Sequence, residues 1–191
     1  MPGGRRGPTP RDAEEGSVPR LPAVSSAAGA PSPSVETARP EDFSRIAELT
    51  VDVYVGGGLT NPGYAVELAD VASRAERAEL LVVRDGDGRV VGSVALVLDG
   101  DFGEVTESDD EAAFRMLVVD PVRQGRGTGE LLVAACLERA RAAGKRRMVL
   151  STGPTMTAAH RLYERMGFTR LPERDWSPVP GVDLQVYVLE L

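Results

Sequence analysis

Three glycines and two arginines meet in seven consecutive residues, Arg123-Gln124-Gly125-Arg126-Gly127-Thr128-Gly129. The segment lies where an apolar run, Leu117-Val118-Val119, gives way through Asp120-Pro121 to a helical pattern starting near Thr128. Glycine admits backbone conformations that other side chains forbid, and it lets a ligand come close to the main chain. The first N–H groups of a helix have no internal partner, and with the helix dipole they attract anions. Arg123 and Arg126 add positive charge at the rim. The chemistry such a loop offers is recognition of a phosphate or diphosphate, and the competing reading is a glycine-rich turn that binds nothing.

Three phosphate-binding patterns compete for this loop. A Walker loop ends in Gly-Lys-Ser/Thr, and Gly127-Thr128-Gly129 lacks the lysine. A dinucleotide fingerprint needs a third glycine three residues after Gly127, where Glu130 stands instead. The pattern Q/R-x-x-G-x-G/A, a pyrophosphate loop for acyl-CoA, matches Gln124 to Gly129 without a gap. A second motif lies downstream: Ala159-His160-Arg161-Leu162-Tyr163-Glu164-Arg165-Met166-Gly167-Phe168. Together with the strand Met148–Ser151, these segments resemble the GNAT superfamily of N-acetyltransferases, whose pattern A-x-x-L-Y-x-x-x-G-F the second motif follows. The resemblance covers roughly residues 35–191.

That resemblance implies acetyl-CoA as co-substrate and no metal. The amides of Gln124, Gly125, Arg126, Gly127, Thr128 and Gly129, with Arg123 beside them, would bind the pyrophosphate. The main chain of Leu117, Val118 and Val119 would bond the pantetheine arm and polarise the acetyl carbonyl, as an oxyanion site does. Tyr163 would protonate the departing thiolate, since a phenol with a pKa of about 10 holds its proton at neutral pH. Its alternative is a core tyrosine, because Ala159, Leu162, Tyr163 and Met166 share one helical face. For a general base the nearest acid before the loop is Glu111, with Asp110 behind it and solvated loop acids as the competing reading. The family often has an asparagine seven residues before the tyrosine; here that residue is Met156, and Ser151 and Thr152 could supply hydroxyls instead. His160 is expected on the surface, Cys136 in the packing of its helix, and Trp176, Pro178 and Pro180 in a loop that shapes the acceptor pocket or simply packs.

These groups must be positioned by regular elements. A short strand is expected over Ser34–Ala38, and a helix opened by Pro40-Glu41-Asp42, with Phe43, Ile46, Ala47 and Leu49 on its apolar face, closing at Gly56-Gly57-Gly58. A second helix is expected over Tyr64–Glu79. Strands over Leu80–Val83 and Arg89–Leu98 flank the hairpin signal Asp85-Gly86-Asp87-Gly88. An acidic loop, Asp99–Glu111, precedes a strand over Phe114–Val119. Helices over Thr128–Ala143 and Thr157–Met166 alternate with a strand over Arg147–Ser151, and two last strands lie near Phe168–Arg174 and Leu184–Leu189. The order implies a mixed α/β fold, its central sheet mostly antiparallel in the manner of the family, with helices on both faces.

Bulk composition narrows the partners. Residues 1–34 hold seven of the fourteen prolines among Gly, Ser and Ala, and are expected to be a disordered tail before a domain at 35–191. The net charge of −7 argues against nucleic acid. No apolar run reaches the roughly 18 residues of a membrane span, so a cytoplasmic, membrane-free protein is expected. A single cysteine excludes an internal disulfide and a thiolate metal cluster. The implied activity is acetyl transfer from acetyl-CoA to an amine of a small molecule or peptide by direct attack in a ternary complex. A non-catalytic acyl-CoA sensor and transfer of a longer acyl group are the alternatives. A homodimer is left open. The acids of Asp99–Glu111 hint at a cationic acceptor.

Overall fold

The computed structural model describes Gly3, Gly4 and residues 34–191, apart from Asn61, Asp101 and Gly103. The tail expected over residues 1–34 therefore lies almost entirely outside the described residues. The fold begins with β1 (Val35–Thr37), α1 (Phe43–Val51), α2 (Ala65–Ala69) and α3 (Val71–Arg77). It continues through β2 (Glu79–Arg84), β3 (Val90–Val97), β4 (Glu111–Val119), α4 (Thr128–Ala142), β5 (Arg147–Thr152) and α5 (Thr157–Arg165). It ends with β6 (Thr169–Arg170), β7 (Trp176–Val179) and β8 (Val182–Glu190). One sheet runs in the order β1-β2-β3-β4-β5-β8-β6, with β7 paired to β8. Every pairing is antiparallel except β4 with β5, which is parallel.

Side chains alternate across the sheet, as the pleat requires. Leu81, Val83, Val94, Leu96, Ala112, Phe114, Met148 and Leu150 point into one layer, where α4 supplies Leu132, Val133, Cys136, Leu137 and Ala140 and α5 supplies Tyr163. Leu80, Val82 and Ala95 point the other way, onto Ile46 of α1 and Val71 of α3. On the same second face Val97, Ala113, Val149 and Val186 meet Phe102 and Val105. Each buried Leu or Val contributes about 1.5–3 kcal/mol, so α4 is held by packing more than by helix propensity.

Several boundaries differ from the sequence expectation. The second helix is broken at Asp70, whose carboxylate accepts from Ser73 N at 3.1 Å and so caps α3. A side chain that competes for helix amides ends one helix and starts the next. After α1 the helix widens into a π-turn segment, Asp52–Gly56, before the glycines stop it. β4 starts at Glu111 rather than Phe114, because parallel pairing of Glu111 with Arg147 extends it backwards. The strand expected over Phe168–Arg174 is only two residues long and turns at Pro172–Arg174.

Candidate active site

β4 and β5 are neighbours only at one end. They pair at Glu111–Arg147, Ala112–Met148 and Ala113–Val149, and there the pairing stops. β4 runs on to Val119 against β3, and β5 runs on to Thr152 against β8. The sheet is thus split between two strands that each keep their outer partner. Along the split, β4 presents main-chain N–H and C=O groups without a strand partner, and such groups call for a ligand or solvent.

Within this stretch β4 carries a bulge. Val118 pairs with Ser93 and Arg115 with Ala95, so Met116 and Leu117 together oppose Val94. Met116 has φ +51°, a left-handed conformation that costs a non-glycine residue of order 1–3 kcal/mol. Strain of this kind persists where the flanking structure enforces it, and here a bulge re-aims the main chain at the mouth of the split.

The glycine loop closes the open end. Gly125 and Gly127 have φ +73° and +84°, and Gly127 is the N-cap of α4. The first intrahelical bond is Leu131 N to Gly127 O at 2.9 Å, which leaves the amides of Thr128, Gly129 and Glu130 ahead of it without a helical acceptor. The loop is braced from three sides. Gln124 Nε2 donates to Val119 O at 3.3 Å, and Arg123 Nη2 pairs with Asp85 Oδ2 of the hairpin at 3.1 Å. Arg45 of α1 pairs with Asp120 at 2.9 Å, and Asp120 caps Val122 N at 3.2 Å. Arg123 is therefore engaged by the protein itself, whereas Arg126 is exposed and forms no ion pair among the described residues.

Tyr163 comes to the split from α5. It is 5% exposed, with ring centroids 5.7 Å from Phe114, 5.8 Å from Phe168 and 6.1 Å from Tyr187. Burial pushes its phenol well above the ordinary value, and Tyr54, Cys136 and Tyr187 add to the effect. α5 is drawn onto the loop by Gly129, where a Cβ would stand 3.2 Å from Leu162 Cδ2. The two sequence motifs therefore meet at one place.

Other expected site residues are placed elsewhere. Glu111 lies at the closed end of β4–β5 and is 3% exposed. Arg174 grips it with Nη1–Oε1 at 2.8 Å and Nη2–Oε2 at 2.9 Å, and Glu107 N donates to Oε2 at 2.9 Å. Burial would raise its pKa, but the Arg174 and Glu107 hydrogen bonds outweigh that and hold it below the ordinary range. A carboxylate so engaged anchors the start of β4 to the turn that carries Arg174. Thr152 is buried and its hydroxyl donates to Met156 Sδ at 3.5 Å, so it is already spoken for; Ser151 beside it is half-buried. His160 is half-buried, its Nε2 3.0 Å from Gly153 O. Cys136 is buried, and burial raises its thiol to about 12.

The acidic stretch is largely neutralised. Asp99 pairs with Lys145, Glu104 with Arg115, Glu107 and Glu111 with Arg174, and Asp110 with Arg146. These acids pair with the fold's own bases. The bulge at Met116 and the close contact at Gly92 were missed from sequence. A Cβ at Gly92 would lie 2.8 Å from Thr128 Cγ2 and 3.3 Å from Val118 O, so only glycine lets α4 start this close to β3. A lone glycine inside the valine-rich strand Val90–Val97 was the available signal.

The model of one family, Acetyltransferase (GNAT) family, matches residues 38–168 and so spans the split, the bulge and the glycine loop. The chain belongs to the GNAT acetyltransferase family. GNAT relatives include a mycothiol acetyltransferase from Streptosporangium roseum, 41% identical over 82 residues that span 43% of this chain and 24% of the relative. An N-acetylaspartate synthetase from Danio rerio is 33% identical over 95 residues, 50% of this chain and 31% of the relative. The chain thus matches a third or less of either curated relative. Among solved structures, an acetyltransferase-like protein from Salmonella typhimurium, determined with acetyl-CoA, superposes with a TM-score of 0.59 at 23% identity, over 83% of this chain and 94% of that one.

Proposed function

We propose that the chain is an acetyl-CoA-dependent N-acetyltransferase that joins both substrates in one ternary complex. The observation that carries this reading is the split between β4 and β5 beyond Ala113 and Val149, capped at its open end by the Gly127 helix start and walled by Tyr163. The residues present fit acetyl-CoA. The amides at the start of α4, with Arg126, suit a pyrophosphate. The free edge of β4 suits the amide-bearing arm, and its bulged main chain suits the carbonyl oxygen of the thioester. The amine lone pair attacks that carbonyl carbon, the C–N bond forms and the C–S bond breaks. The amine gives up one proton to water, the sulfur takes one from Tyr163 Oη, and the phenolate so formed recovers its proton from solvent. Both named curated relatives are, by their names, an acetyltransferase and the maker of an N-acetylated product, which supports the same class of reaction. A cytoplasmic setting is part of this proposal.

The test is release of free thiol from acetyl-CoA by the purified chain over a broad amine panel, with the acetylated product identified by mass spectrometry. Equal amounts of thiol and acetylated amine, with intersecting lines in two-substrate kinetics, are expected. Acetyl-CoA binding without turnover across the panel would instead favour a sensor built on this fold.

A further inference from the structure

The glycine loop holds Gly125, Gly127 and Gly129 within five residues, two of them at positive φ. Glycine has more backbone freedom to lose than any other residue, and that loss weakens ligand binding unless the loop is already fixed. Two aspartates fix it, and both are arranged in the same way. Asp85 Oδ1 accepts from Asp87 N and Arg89 N of its own hairpin, at 3.1 and 3.0 Å, while Oδ2 accepts from Arg123 Nη2 at 3.1 Å. Asp120 Oδ1 accepts from Val122 N of its own turn at 3.2 Å, while Oδ2 accepts from Arg45 Nη2 of α1 at 2.9 Å. In each, one oxygen shapes a local turn and the other holds an arginine from a distant segment.

The anchors are themselves held. Arg84, next to Asp85, grips the carboxylate of Asp42 at 2.9 and 2.8 Å and donates to Gly88 O at 3.2 Å, which ties the hairpin to the residue just ahead of α1. Arg45 Nε donates to Val90 O at 3.3 Å. Asp120 N donates to Val91 O at 2.8 Å, and Arg123 N to Asp120 O at 2.7 Å. This bracing therefore stops directly ahead of Gly125. The side chains of Asp85 and Asp120 are 11% and 17% exposed, and partly buried pairs of this kind are screened less than surface ones. A carboxylate that merely lies beside an anion site opposes the anion, so removing its charge strengthens binding. A carboxylate that sets the loop's shape has the reverse effect, and the sign separates the two roles.

We propose that Asp85 and Asp120 are positioning residues of the loop that takes the pyrophosphate, and that Arg123 serves by holding Asp85 rather than by touching a phosphate. This rests on the reading of the loop as an acetyl-CoA site given above.

The experiment is calorimetry of CoA with the full chain, beside urea unfolding of the same proteins. Asp85→Asn keeps an oxygen for Asp87 N and Arg89 N and loses only the arm to Arg123. It is expected to weaken CoA binding about fivefold, as for one lost hydrogen bond. The urea midpoint should stay close to wild type, since a surface loop opens locally and not with the core. Asp120→Asn should weaken CoA binding similarly through Arg45. Arg123→Gln should match Asp85→Asn, and the double variant should fall within about twofold of either single, because both remove the same contact. CoA binding as tight as wild type or tighter in Asp85→Asn overturns the proposal, as do losses that multiply in the double variant. A loss of affinity accompanied by a clearly lowered urea midpoint would make Asp85 a prop of the whole fold and overturn its role in the loop. CoA binding that follows the expected pattern without turnover of any amine upholds the positioning role while removing the transferase reading. A wild-type chain that does not bind CoA overturns both.

Discussion

The surroundings of Tyr163 suit an acid. Its ring is packed among Phe114, Phe168 and Tyr187, and burial raises its phenol, which favours the protonated form. A raised phenol pKa means the proton is present throughout the neutral range and is lost only above about pH 10. Turnover should therefore show no fall between pH 7 and 9 that traces to Tyr163. Tyr163→Phe keeps the ring contacts and removes only the proton donor. We expect kcat to drop by about a hundredfold or more, with the KM for acetyl-CoA within about twofold of wild type. Steady-state kinetics at saturating amine check this, and equal kcat in the two proteins would remove Tyr163 from the chemistry.

At the scale of elements, the proposed pyrophosphate site is the start of α4. Gly127 caps the helix at φ +84°, a conformation that costs a side-chain-bearing residue about 1–2 kcal/mol. In Gly127→Ala the cap either strains or rotates, which turns the first amides away from their anion. The expected result is a loss of about 1 kcal/mol in urea unfolding and a several-fold rise in the KM for acetyl-CoA, with a smaller change in kcat. This loop was legible from sequence because its signal is local: glycines, a strand end and a helix start within a few residues. The α5 motif was legible for the same reason. The bulge was not, since nothing within Phe114–Val119 announces it; it arises from how β3 pairs on either side of Val94. Nor was the burial of Arg74, which sits among Ser73, Glu76 and Arg77 like an ordinary solvated helix charge and yet is 4% exposed. The partner of Glu111 was not legible either, since Arg174 arrives from 63 residues away.

Across the whole molecule the split works because one end is clamped. Glu111 joins β4 to Arg174 in the turn after β6 and faces Arg147 of β5, 3.6 Å away, which in turn pairs with Glu190 of β8 at 2.8 Å. Arg174 also donates to Val105 O and pairs with Glu107 at 3.2 Å, tying in the connection that leads into β4. Four segments thus converge on one buried carboxylate at the closed end, leaving the open end free to take a ligand. Removing its charge leaves Arg174 buried without its main partner, and breaking such a pair typically costs about 3–5 kcal/mol. Glu111→Gln should therefore lower unfolding stability by about 3 kcal/mol at pH 7. The sign of the pH effect follows from the lowered pKa. Unfolded, the carboxyl titrates near 4.5; folded, it titrates lower, so its stabilisation is complete above 4.5 and drains away as pH falls below that value. Wild-type stability, measured by urea unfolding at a series of pH values, should fall more steeply below pH 4.5 than that of Glu111→Gln, so that the two curves converge in acid. At neutral pH the variant should keep the wild-type shape of its pH–rate profile, because the clamp holds the frame of the site while Tyr163 holds the proton. Parallel stability curves, or a pH–rate limb that disappears in the variant, would return Glu111 to the chemistry and take the clamp away.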